Sequence, residues 1–336
     1  MTGGFMPPFF SNDIWLADGG AEFVRDGDVV VSVGAKSGTT WMCYCAHALR
    51  TKGAQGDEAE ALGFKPYVDI MASTPWLDLV HFPGQTGAQR ADHYRHGTLA
   101  DGSRLRDYWD NPAHPFRVFK SHMSPSSWTE GNPVANVLPV TQRPLVKYVS
   151  VVRRGLDVGV SLKHFFLRHR TEFQTMWGGS PPHYASVDDS VMDLLPGGNL
   201  YSLYFQYVKS WWHLRNAPNV LLMHYSDMIL DHAALITKLA AFYGVDLAVP
   251  EFDRVANMCS SAHMKQNVEL FDYILPVGTP SNSIMNGGSF IRQKDKNASA
   301  SDTVSPGVLA AWNRALVSEF DDIELRTWAD NGGAFS

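Results

Sequence analysis

The hydrophobic positions of the chain gather into four short runs, VVVSV at 29–33, FRVF at 116–119, VKYVSVV at 146–152 and VLLM at 220–223. Within each run apolar residues stand side by side instead of alternating with polar ones, the pattern of a strand buried on both faces of a parallel sheet. Helix-like periodicity follows at 40–51, 157–169, 200–216, 232–244 and 306–319, the last with Ser305 placed as a cap and Pro306 at its first position. Strands that alternate with helices read as βαβ units. The expectation is an α/β fold, a central parallel β-sheet flanked by helices on both faces.

Glycine and proline collect at 84–102, 178–196 and 277–305, stretches longer than ordinary connections and expected to serve as lids or substrate-shaping loops. No repeat or shift in composition divides the chain. A single domain is expected over 29–325, with an N-terminal extension over 1–28 packed on it and a tail over 326–336.

At 336 residues, 45% hydrophobic and 18% charged, the chain can bury a large core. Its net charge of -6 argues against a nucleic-acid partner, which needs a basic face. The opening MTGGFMPPFFSNDIW has neither a basic nor a long apolar segment, and nowhere does an apolar run reach the roughly 18 residues of a membrane span. A cytoplasmic protein without membrane attachment is the expectation. The three cysteines, Cys43, Cys45 and Cys259, are too few for a disulfide framework and are expected in the core. The 13 histidines show no metal-ligand spacing, so they are expected over the surface and the site, with no metal.

The first apolar run leads into chemistry. In VVVSVGAKSGTTW, residues 29–41, a β-branched stretch breaks at Gly34 and passes into helix-like sequence, which stacks backbone N–H groups at a positive helix end and suits a phosphate. A Walker A loop would read GxxxxGK[ST]. Here Gly34 and Gly38 stand one residue too close, and Thr39 occupies the lysine's place, while Lys36 precedes the second glycine. The second run ends in FKSH, setting Lys120 and His122 at a carboxyl edge where open α/β sheets bind ligands. An imidazole there can take a proton from an attacking hydroxyl or amine. The third run continues into YVSVVRRGLDVGVSLKHF, where Arg153 and Ser161, eight residues apart, can converge on one anion.

These segments resemble, in order, those of sulfotransferases that use 3′-phosphoadenosine 5′-phosphosulfate (PAPS), of the cytosolic type. AKSGTTW at 35–41 is similar to their PKSGTTW loop, KSHM to their KTHLP-type segment, and the Arg153 to Ser161 stretch to YVxRNPKDxxVSxxHF, although Arg154, Gly155 and Leu156 replace Asn-Pro-Lys. The resemblance implies a P-loop-like fold, PAPS as donor and 3′,5′-ADP (PAP) as product. It also implies that Lys36, Ser37, Gly38, Thr39 and Thr40 cradle the phosphosulfate, that Arg153 and Ser161 hold the 3′-phosphate, and that His122 is the general base. Lys36 would then neutralise the bridging and leaving oxygens and Lys120 would hold the migrating group. LLMHYSDM at 221–228 is similar to the strand-ending YEDM, which assigns Tyr225 to the adenine, with Trp41 stacking on the same base. Pro75-Trp76-Leu77-Asp78 resembles a PWLE-like segment, which makes Trp76, with Phe165, a wall of the acceptor pocket beside His122.

Toward the C-terminus the match weakens. SFIRQKDKNASASD at 289–302 keeps Arg292 of the RKGxxGDW phosphate clamp, but has Lys294 for its first glycine. CSSAHMKQN resembles TSFxxMK with Cys259 in the threonine's place, and of the dimerisation stretch only Thr303 and Val304 survive. The expected reaction is in-line sulfuryl transfer to a small-molecule hydroxyl or amine. A P-loop kinase is disfavoured by the missing GK[ST], and a non-catalytic nucleotide binder has no need of His122 beside Lys120. Asp78, Asp101, Asp107 and Glu172 are expected as solvated loop charges. Acceptor identity and oligomeric state are not readable.

Overall fold

The protein is described from a computed structural model, which covers residues 7–16, 23–125, 138–275, 283–286 and 303–335. Four strands, β1 (Val29–Ser32), β2 (Val118–Ser121), β3 (Lys147–Val152) and β4 (Val220–His224), form one parallel sheet in the order β2-β1-β3-β4. All four runs of the sequence became strands. Consecutive residues of each strand feed opposite faces: Val29, Val31, Val149 and Val151 enter one hydrophobic core, while Val30, Phe119, Tyr148 and Val152 enter the other. That two-sided burial is why the runs are continuously apolar.

Because β1 lies between β2 and β3, the chain leaves its carboxyl end at a switch point, with the β2 and β3 ends on either side. The segments singled out in the sequence sit at this edge. The helix Thr39–Arg50 follows β1 and the helix Gly155–Phe166 follows β3, while Tyr225 opens the helix Tyr225–Leu230 after β4.

Several expectations need correction. Two of the supposed loops contain helices: Gly87–His96, closed by a capping box between Thr86 and Gln89, and Val187–Met192, closed by one between Ser186 and Asp189. Their start signals were present in the sequence and were outweighed by the surrounding glycine and proline. The helix expected over 200–216 has a π-helical turn at Ser202–Gln206 before the regular helix Tyr207–His213. At that turn Tyr204 and Phe205 pack on Trp312, with centroids 5.3 and 5.4 Å away, so aromatic bulk prevails over regular winding. Part of the histidine expectation needs correction: His96, His183 and His213 are exposed and His122, His164, His169 and His232 line the cavity, but His47, His81, His114 and His224 are buried away from it. All three cysteines are buried and free.

The described part of the N-terminal segment packs on the sheet domain. Val80 donates its amide to the Phe9 carbonyl at 2.9 Å, and Asp13 accepts from the buried Arg90 and from the Gly87 amide. Among the described residues no helix is long and apolar enough to cross a membrane.

Gly155, directly after β3 and its outgoing turn, permits close packing of its helix. A Cβ built there would stand 2.2 Å from the Trp312 ring and 2.5 Å from Tyr204. Gly155→Ala is therefore expected to lower stability by about 1–3 kcal/mol, the usual cost of overpacking. Denaturant unfolding at neutral pH measures it, and a variant as stable as the parent would refute this packing.

Candidate active site

The carboxyl ends of the strands surround one cavity of about 700 Å³. Its floor at one end is the loop after β1. Lys36 takes a left-handed backbone with φ 56°, and Gly38 follows at φ 99°, where a Cβ would lie 3.1 Å from the Tyr225 ring. The loop is tied to β3 by the Gly34 amide on the Val151 carbonyl at 3.0 Å, and to the end of β3 by Arg153 Nη1 on the Lys36 carbonyl at 3.1 Å. Lys36, Gly38, Thr39, Thr40, Trp41, Arg153, Ser161 and Tyr225 all border the cavity, and Ser37 is buried beneath the loop.

Arg153 lies 4.8 Å over the Tyr225 ring, its Nε 3.8 Å from Asp157 and without a hydrogen-bond partner. Trp41 stands edge-on to Tyr225 with centroids 6.3 Å apart, fixed by its indole N–H donated to the Cys259 carbonyl at 2.8 Å. Cys259 thus meets the site through its backbone, while its side chain is buried. Arg292, Lys294 and Lys296 lie outside the described residues.

Lys120 and His122 occupy the middle of the cavity. The Lys120 ammonium, on a side chain only 1% exposed, sits 3.1 Å from the Trp76 ring centroid and donates to the Tyr273 hydroxyl. Burial drives its pKa well below the ordinary lysine value, and the nearby Lys36 charge adds to this. His122 donates from Nδ1 to the Val33 carbonyl at 2.6 Å, since a carbonyl can only accept. Its Nε2 therefore carries the lone pair. Burial, reinforced by the Lys120 charge, pushes the His122 pKa down to about 3, so the ring is neutral at physiological pH.

On the other side of His122 the lining is aromatic: Phe10, Trp76, Phe165, Phe166 and Phe173 with Leu79 and Ile284. Trp76 is 5.1 Å from the His122 ring and Phe10 is 6.0 Å from it. Phe165 meets Lys36, whose ammonium stands 3.5 Å from its centroid. His169 joins this wall with Nδ1 donated to the Phe165 carbonyl at 3.2 Å and a pKa brought down to about 4 by burial.

The sequence reading missed Phe9, Phe10, Phe173, His169 and Tyr273, each from a segment with no motif to mark it. It also misplaced Asp78. That carboxylate is wholly buried and accepts from Trp15, Trp76, Ser121 and the His122 amide. Asp101, bonded to Ser103, and Glu172, paired with Arg170, are exposed as expected, and Asp107 pairs with Arg104.

A parallel sheet whose switch point carries a glycine-bounded loop, two lysines, an arginine and a neutral histidine around one cavity defines an α/β group-transfer enzyme with a site for an anionic nucleotide. The sulfotransferase domain family model matches residues 26–294, so the chain belongs to the sulfotransferase family and is a PAPS-dependent sulfotransferase. It is 25% identical to human sulfotransferase 1E1 over 244 residues, 72% of this chain and 68% of that one. To the 3-beta-hydroxysteroid sulfotransferase of Cavia porcellus it is 22% identical over 308 residues, 89% of this chain and 83% of the relative. Its fold resembles that of retinol dehydratase solved with retinol and PAP, at a TM-score of 0.60 and 19% identity, covering 89% of this chain and 82% of that one.

The buried imidazoles set a pH dependence. His47, His81, His114, His122 and His169 are all held below the ordinary histidine value of 6.5 by burial. Once unfolded they take up protons the native state refuses, so their contribution is full above pH 6.5 and is lost as pH falls toward their native values. The buried carboxylates Asp28, Asp69 and Asp78, raised by burial, act in the opposite sense. The melting temperature is expected to fall steadily from pH 7 to pH 5.5. An unchanged melting temperature over that range would refute the assignment of these rings as neutral.

Proposed function

We propose that the enzyme moves the sulfuryl group of PAPS to a hydroxyl of a largely apolar small molecule, with PAP as the second product. The observation that carries this reading is one cavity with a cationic, loop-floored end and an aromatic end, which meet at Lys120 and His122.

The donor end fits a nucleotide with two phosphate positions. The Arg153 guanidinium, with an unpartnered buried Nε, and Ser161 would hold the 3′-phosphate. Lys36, Ser37, Gly38, Thr39 and Thr40 would hold the phosphosulfate against the start of their helix. Trp41 and Tyr225 would take the adenine. PAP bound in the solved retinol dehydratase supports the same use of this fold. The donor supplies the group that moves. His122 would receive the acceptor proton at Nε2, while Lys120 and Lys36 bring positive charge to oxygens that become more negative during transfer.

The acceptor end supports a hydroxyl compound over a cationic amine. Asp157 is the only carboxylate among the described lining residues, and it lies beside Arg153 at the donor end. Trp76, Phe165, Phe10 and Phe173 offer ring faces, and the steroid and retinol named in the relatives are molecules of that kind.

Two substitutions test the assignments, after a screen of hydroxyl and amine acceptors with sulfur-labelled PAPS. His122→Ala should lower turnover by about 10²–10⁴, the usual value of general-base help, with PAP affinity nearly unchanged in calorimetry. Near-normal turnover would reject His122 as base. Arg153→Ala should weaken PAP binding by about 10–100-fold, the loss of hydrogen bonds to a charged group. Unchanged PAP affinity would remove Arg153 from the phosphate site.

A further inference from the structure

Asp78 carries more contacts than its place in a loop would require. Its Oδ1 accepts from the Trp15 indole at 2.6 Å and from the Ser121 hydroxyl at 3.1 Å. Its Oδ2 accepts from the His122 amide at 2.7 Å and from the Trp76 indole at 3.3 Å, and its carbonyl accepts the Ser11 amide at 2.9 Å. The side chain is 0% exposed, and among the described residues no lysine or arginine pairs with it directly. An ionised carboxylate so deeply buried needs a positive charge within reach of its field.

That charge is reached through Trp76. The indole donates its N–H to Asp78 while its ring face carries the Lys120 ammonium, 3.1 Å from the centroid. A ring whose N–H is drawn toward an anion is a more electron-rich platform for a cation. One carboxylate therefore meets the base through its backbone amide, the buried lysine through an indole, and the N-terminal segment through Ser11 and Trp15. Phe9 and Phe10 of that segment line the cavity.

We propose that Asp78 is a positioning residue of the transfer site: it fixes His122, supplies across Trp76 the negative charge that balances Lys120, and latches the N-terminal segment over the acceptor end. The inference rests on the reading of His122 and Lys120 given above. Trp76, Cys43 on the helix Thr39–Arg50, Lys36 on the loop, His122 on the same strand end and Tyr273 are the other groups that face the lysine. None of these is a carboxylate, whereas Asp78, behind Trp76, is. Cys43 and then Asp78 oppose the downward pull of burial on the Lys120 pKa, and burial pushes the Cys43 thiol up to about 11, so at neutral pH the standing negative charge is that of Asp78.

The test uses the full chain, labelled PAPS and the best acceptor of the screen. In Asp78→Asn the negative charge is gone, and turnover should fall about 10–100-fold with PAP affinity within threefold of the parent. The alkaline limb of the turnover profile should also move to lower pH by about one unit, because Lys120 loses its proton more easily without the opposing charge. Asp78→Glu, which restores the charge, should return the limb toward the parent position, an outcome that a merely structural role does not produce. Trp15→Phe, which removes one bond of the latch and keeps the carboxylate, should raise the acceptor KM and move the limb less than Asp78→Asn does.

Asp78→Asn with turnover within twofold of the parent and an unmoved limb overturns the inference. Read beside His122→Ala, the failures separate: an inactive His122 variant with a normal Asp78 variant sinks only the present inference, whereas normal turnover in both sinks the base assignment itself. Should Asp78→Asn not fold, Trp76→Phe keeps the carboxylate and removes the indole N–H. An acid-ward shift of the limb there supports the link, and an unmoved limb overturns it.

Discussion

Positive charge must be gathered around one cavity, and the architecture of the site follows from that constraint. Each of three cations rests on an aromatic face: Lys36 on Phe165 at 3.5 Å, Lys120 on Trp76 at 3.1 Å and Arg153 on Tyr225 at 4.8 Å. A carboxylate in direct contact with a cation would bind it firmly and compete with an anionic ligand; Asp157, 3.8 Å from Arg153, and Asp78, behind Trp76, stand off from theirs. A ring face contributes about 0.5–2 kcal/mol and leaves the charge available. The aromatic residues of the site thus have two duties, since Trp76 and Phe165 also line the cavity.

The sheet makes this gathering geometrically possible. Parallel strands bring all their carboxyl ends to one edge, and β1 at the switch point is flanked by the ends of β2 and β3. Three residues distant in sequence, Lys36, Lys120 and Arg153, therefore border one cavity with no long loop to carry them. The left-handed backbone at Lys36 and Gly38 turns the chain sharply from strand into helix, and the Arg153 bond to the Lys36 carbonyl stiffens that turn.

Most of this was legible in the sequence because it is local. The strands announced themselves through short runs dense in apolar residues, and the loop through the positions of Gly34, Lys36 and Gly38. Arg153 could be found because it directly follows such a run, and His122 because it stands three residues past the end of another. What was not legible depends on contacts between segments with no shared pattern. Asp78 reads in sequence as one acid among several, and only the packing of Trp15, Ser121 and Trp76 around it makes it the buried centre of a network. Phe9 and Phe10 carry no motif and reach the cavity because the Phe9 carbonyl accepts from Val80. The buried histidines were misjudged for the same reason, since an imidazole looks polar until its neighbours remove the water.

This division between local and assembled features runs along the cavity itself. The donor end is built from strand ends and the turns directly after them, so its geometry is fixed by the sheet. The aromatic end is assembled from the N-terminal segment, the stretch around Trp76, the end of the helix Gly155–Phe166, Phe173 and Ile284. Each of those pieces can change its side chains without disturbing a strand. Lys120 and His122 stand where the two ends meet, with Trp76 against both. The buried charge of Asp78 stands behind all three, at the last position of the segment 75–78, where the sequence shows the residue but not the network around it.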